Sequence, residues 1–146
     1  MKILDSDHCV AILRARLDLT GHVIPDEELA ITTISVGELV HGASKSQRAA
    51  DNLARLDVLL TAFTIYSYDE WSARRFGQLK AQLEQTGEII GDLDLQIASI
   101  ALEHAAVLVT HNQKHFSRLI VLPDLALDDW LAWDLTLRCK GLRQPP

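Results

Sequence analysis

The most restrictive feature of this 146-residue chain is the apolar segment 90–116, in which a helix pattern runs directly into a strand pattern. The helix carries two apolar stripes, made of Leu93, Ile97, Ile100 and Ala101, and of Leu95, Ala98, Leu102 and Ala105. A helix that is apolar on nearly all sides is a buried one, and Val107–Val109 is typical of a strand buried in a parallel sheet. The segment therefore predicts an α/β fold with this helix in its core.

One acidic residue, Asp94, lies in the first turn of this buried helix. Asp92 stands two residues earlier, and we expect its short carboxylate to cap the helix. Burying an unpaired charge is costly, so Asp94 needs a partner elsewhere in the fold.

Strand and helix patterns alternate along the whole chain. We predict strands at 2–4, 29–33, 64–66 and 107–109, and an edge strand at 120–122. We predict a first helix capped by Asp7, a second capped by Ser35, a third over 44–60 and a fourth over 69–85 that stops at Gly87. This alternation predicts a short parallel sheet flanked by helices, with right-handed crossovers.

Length and composition limit the class of protein. We expect a single domain, 1–146, in which about 131–146 form a C-terminal tail; 48% of residues are hydrophobic and the mean hydropathy is +0.08. No apolar run approaches the roughly 20 residues of a membrane span, and the N-terminus lacks the features of a signal peptide. Two lone cysteines fit a reducing, cytoplasmic location. The net charge of −6 argues against non-specific nucleic-acid binding, but not against a nucleic-acid enzyme.

Acidic and polar residues occupy equivalent places around the predicted sheet. Asp5 and the pair Thr110/Asn112 follow strands, Glu38 lies in the turn after a second strand end, and Asp94 opens a helix. Parallel strands would bring them to one edge, where carboxylates at ~4 Å repel by roughly 4 kcal/mol at an effective dielectric of 20. Hard oxygen ligands suit Mg²⁺ or Mn²⁺, which would offset that repulsion. Glu38 has a second interpretation, because it stands at capping-box spacing from Ser35.

The motifs ILDSD, ISVGELVHGA, DLDLQIASIAL and LVTHN with a nearby HF, in this order, resemble the PIN domain, above all the VapC-type toxins of bacterial toxin–antitoxin pairs. The resemblance extends from Ile3 to about Trp130 and implies a PIN-like, three-layer α/β fold. The family's three acids fall on Asp5, Glu38 and Asp94, the candidate metal ligands. Its fourth polar position falls on Asn112, which completes the candidate catalytic set.

The resemblance also implies an activity and partners. These are Mg²⁺-dependent (or Mn²⁺-dependent) cleavage of RNA, a cognate antitoxin that blocks the site, and a homodimer. The apolar residues of the helices predicted at 44–60 and 69–85 exceed what one small sheet face needs, which also favours a dimer. The chain departs from the family at Ser6–Asp7, where Thr-Asn or Thr-Asp is common, and at Asn112, where Asp is frequent. The match implies one Mg²⁺ site and leaves a second open.

Two alternatives remain at this stage. A haloacid-dehalogenase-like phosphatase would use Asp5 as nucleophile and Asp7 as acid/base, with Asp128–Asp129 as its late acidic pair. Against it, Cys9 stands where that family has Thr or Val, and no apolar strand or lysine precedes the acidic pair. The other alternative is a catalytically silent binding domain on the same fold, which the complete acid set disfavours.

Several residues near the motifs are candidates for contact with RNA. Arg14, Lys45, Arg48 and Lys114 are cationic and close in sequence to the motif segments, so each is a candidate for binding phosphates. His8 stands beside the acids and is a weaker candidate for a substrate contact.

Overall fold

The computed structural model describes residues 1–116 and 124–132, and in them it contains a parallel five-stranded sheet. The strands are β1 (Lys2–Leu4), β2 (Leu29–Thr32), β3 (Thr64–Tyr66), β4 (Val107–Val109) and β5 (Leu127–Asp128). Their order is β3-β2-β1-β4-β5, and each neighbouring pair is parallel. The strand that opens the chain is therefore the central one, and all carboxyl ends lie at one edge.

Helices cover both faces of the sheet. They are α1 (Ser6–Leu13), α2 (Thr33–Ser44), α3 (Ala49–Leu60), α4 (Glu70–Thr86), α5 (Asp92–Glu103) and the short α6 (Gln113–Phe116). No helix in the described ranges is both long enough and apolar enough to cross a membrane.

Successive strand residues point into two separate cores. On β1, Ile3 packs in a core with α4 and α5, whereas Leu4 packs in a second core with α1, α2 and α3. Leu108 and Val109 of β4 divide in the same way, because side chains alternate across a strand. The predicted three-layer α/β architecture is confirmed.

The buried helix α5 is apolar at its centre and exposed at its start. Leu95 and Ile97–Ala101 are buried, whereas Leu93 is 50% exposed and Ala105 lies beyond the helix end. The prediction that this helix is buried on all sides is therefore wrong at the start and at the end of the predicted helix.

Three predicted helix caps are wrong by one to three residues. Asp5, not Asp7, caps α1. Thr32, not Ser35, caps α2, because its Oγ1 accepts a hydrogen bond from the Ser35 N–H at 3.1 Å. Gly91 is the N-cap of α5, and Asp92, its first residue, forms an ion pair with Lys80 instead.

The third predicted helix was placed too early. It begins at Ala49, because α2 continues to Ser44 and residues 45–48 form a turn. In that turn the Ser46 hydroxyl donates to the Ala43 carbonyl at 2.7 Å and accepts from Asn52 Nδ2 at 2.8 Å. A serine that binds the last carbonyls of a helix favours its end over its continuation.

The C-terminal part of the chain differs from the prediction. The expected edge strand at 120–122 lies outside the described residues, as does all but the start of the expected tail at 131–146. A two-residue strand, β5, instead pairs with β4, and a helical turn begins at Trp130.

Candidate active site

Asp5 lies at the carboxyl end of the central strand and is only 7% exposed. One carboxylate oxygen accepts a hydrogen bond from the Ser6 N–H at 2.7 Å, which caps α1, and the other accepts from Thr110 Oγ1 at 2.9 Å. The second bond ties the end of β1 to the residue that follows β4. Asp5 is therefore a buried carboxylate at the sheet edge and also a helix cap.

The surroundings of Asp5 favour its neutral form. Burial raises the pKa of Asp5 most, and the negative charge of Asp7 and, more weakly, that of Glu38 raise it further. The hydrogen bonds from Ser6 and Thr110 lower it, and the resulting pKa is about 6. Among the described residues no positive charge contributes to this pKa, so a bound cation would stabilise the charged form of Asp5.

Asp94, in the first turn of α5, has a neutral partner as its closest contact. Its Oδ2 accepts a hydrogen bond from Asn112 Nδ2 at 3.0 Å, and His115 Nδ1 lies 3.7 Å away. The Asp94 side chain is 26% exposed, so water also reaches it. The main partner of Asp94 is thus the amide of Asn112, which orients the carboxylate without neutralising its charge.

Four of these residues form a continuous set of hydrogen bonds that we call the polar link. Asp5 accepts from Thr110 Oγ1, Thr110 Oγ1 accepts from the Asn112 N–H at 3.1 Å, and Asn112 Nδ2 donates to Asp94. Thr110 and Asn112 thereby connect the acid after β1 to the acid on α5. The sequence grouped these positions, and the structure brings them together.

Glu38 is not part of a capping box. Since Thr32 caps α2, Glu38 lies in the second turn of the helix, too far along to return to the cap. It is half-buried, its charge is felt at Asp5, and it lines a cavity of about 490 Å³ that also reaches Asp7 and Arg14. The interpretation of Glu38 as part of a helix cap is therefore wrong, and Glu38 lies close enough to Asp5 to affect its pKa.

The cavity is lined by both polar and apolar side chains. Its lining residues come from α1, α2 and α3 and the turn between the last two: Ser6, Asp7, Val10, Leu13, Arg14, Glu38, Leu39, Gly42, Ala43, Ser46, Asn52, Arg55 and Leu56. A pocket of this size, with apolar walls and a few polar groups, is suited to part of a chain molecule rather than to an ion alone.

In the described part of the chain the three candidate ligands do not form a single cluster. Within residues 1–116 and 124–132, no three His, Cys, Asp or Glu side chains lie close enough together to hold a metal ion. The assignment of Asp5, Glu38 and Asp94 as ligands stays a prediction. The donors nevertheless fit Mg²⁺, which is usually bound by one or two carboxylates with several waters, and buried Asp5 is the group whose charge it would offset.

Asp7 and His8 are tied into the same edge in a way that sequence reasoning missed. His8 is fully buried, so the suggested substrate contact is wrong. Its Nδ1 lies 2.7 Å from Asp7 Oδ1, and Asp7 Oδ2 accepts from the His111 N–H at 2.9 Å. Burial alone would raise the pKa of Asp7, but the hydrogen bonds from the His8 ring, the His8 N–H and the His111 N–H hold it below its ordinary value. The sequence feature that could have indicated this contact is the adjacent pair Asp7–His8 near the start of an apolar helix.

The cationic candidates occupy different situations. Arg48 pairs with Asp51 at 2.8 Å on the surface, whereas Arg14 lies at the cavity with Glu38. Lys45 and Lys114 are exposed. Arg14 is thus a candidate that shares the cavity with two acids, Asp7 and Glu38.

The phosphatase alternative gains one feature and loses others. Asp128 ends a strand, β5, and Asp129 follows it, contrary to expectation. Asp128, however, accepts from the Trp130 indole N–H at 2.8 Å, and Asp129 accepts from backbone N–H groups of the following turn. Both acids are engaged in holding the chain rather than free for chemistry.

Comparisons with known proteins agree on one family. A PIN domain family model matches residues 2–121. "Ribonuclease VapC2" of Rickettsia felis is 35% identical over 132 residues, which are 88% of this chain and 96% of that protein. The "tRNA(fMet)-specific endonuclease VapC" of Shigella flexneri is 29% identical over 135 residues, with the same coverage. In the solved structure of VapBC2 from Rickettsia felis, bound to a promoter DNA fragment, one chain superposes with a TM-score of 0.80 at 34% identity, covering 88% of this chain and 98% of that one.

Proposed function

Because the chain belongs to the PIN-domain family, we propose that it is an endoribonuclease, the toxin of a toxin–antitoxin pair, and that it hydrolyses RNA phosphodiester bonds. The observation that carries the proposal is the polar link, which holds Asp5 and Asp94 at the edge of the sheet beside the cavity that Glu38 lines. Relatives of nearly the same length carry ribonuclease and endonuclease names.

The proposed cofactor is Mg²⁺, with Mn²⁺ as a substitute. Asp5, Asp94 and Glu38 would hold it, directly or through water. Bound there, the ion would lower the pKa of a water molecule and stabilise the charge on the phosphate. The support is the oxygen-only donor set and the raised pKa of Asp5, which marks a place where positive charge is favourable.

The chain's own residues would prepare the site for this reaction. The Thr110 hydroxyl and Ser6 N–H fix both oxygens of Asp5, and Asn112 fixes one oxygen of Asp94. A carboxylate held in one orientation needs little rearrangement in the reaction. Glu38, half-buried at the cavity, is the acid that we assign to accept a proton from the attacking water.

RNA must approach a protein whose formal net charge is −6. Cations near the site are therefore needed to offset repulsion from the acids. Arg14 lines the cavity with Glu38, and we assign it a contact with a phosphate next to the cleaved bond. Lys45 and Lys114 are exposed cations that would extend this path.

The proposal includes two protein partners. One is a cognate antitoxin, as the similarity to VapBC2 suggests. The other is a second copy of the chain, and its support is exposed apolar side chains on α3, β3 and α4: Val58 (71%), Ile65 (45%) and Trp71 (66%). Action in the cytoplasm follows from the same proposal.

The test is cleavage of an RNA panel that includes initiator tRNA, with Mg²⁺ and with excess EDTA. The wild type is compared with Asp94→Asn and with Asp92→Asn, a matched control whose carboxylate pairs with Lys80 on the surface. We expect Mg²⁺-dependent cleavage that Asp94→Asn abolishes and Asp92→Asn leaves within about twofold. Cleavage that survives EDTA, or hydrolysis of a generic phosphomonoester with no RNA cleavage, would contradict the proposal.

A further inference from the structure

His8 is a buried histidine whose two ring nitrogens both have partners. The Trp130 backbone N–H points at Nε2 from 3.2 Å, and a backbone N–H can only donate. Nε2 must therefore accept, which places the ring proton of the neutral imidazole on Nδ1. Nδ1–H then donates to Asp7 Oδ1 at 2.7 Å. The surroundings thus fix one tautomer of His8.

Asp7 passes this constraint on to the polar link. Its Oδ1 is held by the His8 ring and by the His8 N–H at 2.6 Å, which leaves Oδ2 to accept from the His111 N–H at 2.9 Å. His111 stands between Thr110 and Asn112, the two residues that hold Asp5 and Asp94. Asp7 therefore fastens the backbone of the segment on which the acids depend.

The same segment is fastened from its other side. His111 Nδ1 lies 3.0 Å from Asp129 Oδ2, while Asp129 Oδ1 accepts from the Leu131 and Ala132 N–H groups and lies 3.5 Å from His8 Nε2. These contacts form a ring that joins the start of α1, the residues after β4 and the residues after β5. His8 is a member of this ring and is fully buried.

We propose that His8 and Asp7 are positioning residues for the nuclease: they hold segment 110–112, and through it Asp5 and Asp94, in the arrangement that the reaction requires. This inference rests on the proposed function. Neither residue is assigned to touch the RNA or the metal ion. Because misplacement of reacting groups by about 1 Å can cost on the order of a hundredfold in rate, loosening this segment should affect turnover and not substrate binding.

Two substitutions of His8 separate its two links. In His8→Asn the amide nitrogen takes the place of Nδ1 and can still donate to Asp7, but nothing accepts from Trp130. In His8→Gln the longer side chain reaches the place of Nε2 and can accept from Trp130, but the donor to Asp7 is lost. Both variants lose the ring that packs edge-on against Trp130 with centroids 6.0 Å apart, so the packing loss is shared.

We expect His8→Gln to lower kcat for RNA cleavage by about tenfold to a hundredfold with KM within about twofold. His8→Asn should stay within about threefold of the wild type, and Asp7→Asn should resemble His8→Gln. Equal losses in the two His8 variants, or a loss confined to His8→Asn, would overturn the inference. So would a change in KM alone.

If the wild type cleaves no RNA, that result refutes the proposed function and says nothing about His8. The role of His8 is therefore also tested by a measurement that needs no RNA. Two-bond ¹H–¹⁵N correlation spectra report which ring nitrogen of His8 carries the proton, and amide hydrogen exchange reports protection of the His111 N–H. We expect the Nδ1–H tautomer and a protected His111 amide in the wild type, with protection kept in His8→Asn and lost in His8→Gln. An Nε2–H tautomer, or an unprotected His111 amide in the wild type, would contradict the positioning role.

Discussion

Asp5→Asn should make the metal-free protein more stable at neutral pH. The pKa of Asp5 is raised from 3.8 to about 6 in the folded protein, a change of about two units. At about 1.4 kcal/mol per unit, the charged carboxylate costs the folded state about 3 kcal/mol at pH 7. Asparagine removes that cost, because it carries no charge and keeps the size of the side chain.

The substitution also removes a favourable interaction of the Asp5 charge, which reduces the expected gain in stability. Asn caps helices about as well as Asp, so its oxygen can keep the bond from the Ser6 N–H. Its amide can donate to Thr110 Oγ1, which has a free lone pair. The lost attraction between a negative charge and the N-terminus of α1 is about 0.3–1 kcal/mol. The net gain is therefore about 2 kcal/mol, or about 6 °C in melting temperature for a chain of this size.

The pH dependence has a definite sign. Because the folded pKa of Asp5 lies above the unfolded one, the folded state holds more protons between about pH 4 and pH 6. Asp5 therefore makes wild-type stability fall as the pH rises through this window. The advantage of Asp5→Asn should be absent below pH 4 and complete above about pH 7.

The assay is urea unfolding in EDTA between pH 3.5 and 8, with Asp92→Asn as a matched control. Asp92 is exposed and pairs with Lys80, so its neutralisation should give no stabilisation. Millimolar Mg²⁺ should narrow or reverse the difference, because a ligand stabilises the folded state that binds it. A variant Asp5→Asn that is less stable than the wild type at pH 7 in EDTA, or a difference in stability that does not change with pH, would refute the prediction.

Three further predictions concern single side chains. Asn112→Ala removes the amide that donates to Asp94 and should lower RNA cleavage at least about tenfold, while circular dichroism shows an unchanged fold. Thr32→Val removes the buried cap of α2 and the partner of the Ser35 hydroxyl, and should cost about 1–2 kcal/mol in urea unfolding. Cys9, buried and with a pKa raised to about 12 by burial and by nearby carboxylates, should not react with a thiol reagent until the protein unfolds. The last test uses a variant whose other cysteine is serine, and rapid labelling at pH 8 would contradict it.

Much of the fold was predictable because its strands carry a strong apolar signal. The predicted bounds 2–4, 64–66 and 107–109 are confirmed, and 29–33 was one residue too long. The helix α4, with Asp69 as its cap and Gly87 in a left-handed conformation at its end, also follows local rules. In these segments local preference and tertiary packing favour the same structure.

Helix starts were harder because several capping residues compete within a few positions. Asp5 and Asp7 can both cap α1, and the choice depends on where β1 stops pairing with β4, which is a long-range property. Thr32 rather than Ser35 caps α2 for the same reason, since β2 ends there. Local sequence rules rank such residues almost equally.

The grouping of the site residues was predictable from topology, but their contacts were not. Parallel strands with right-handed crossovers bring Asp5 and Thr110 to one edge whatever the details. The hydrogen bond from His111 to Asp7 spans 104 residues of sequence, and β5 is only two residues long. A single long-range hydrogen bond and a two-residue strand produce no periodic pattern in a sequence, so neither could be predicted.

We propose that the acids of this edge bind the divalent ion that RNA cleavage requires. The direct test is one Mn²⁺ titration in which electron paramagnetic resonance gives the bound fraction and single-turnover kinetics give the cleavage rate in the same samples. We predict that the two curves share a midpoint, and that Asp94→Asn moves the binding curve to higher Mn²⁺ while Asp92→Asn leaves it in place. Full cleavage in samples with no bound Mn²⁺, or binding that Asp94→Asn and Asp5→Asn both leave unchanged, would contradict the claim.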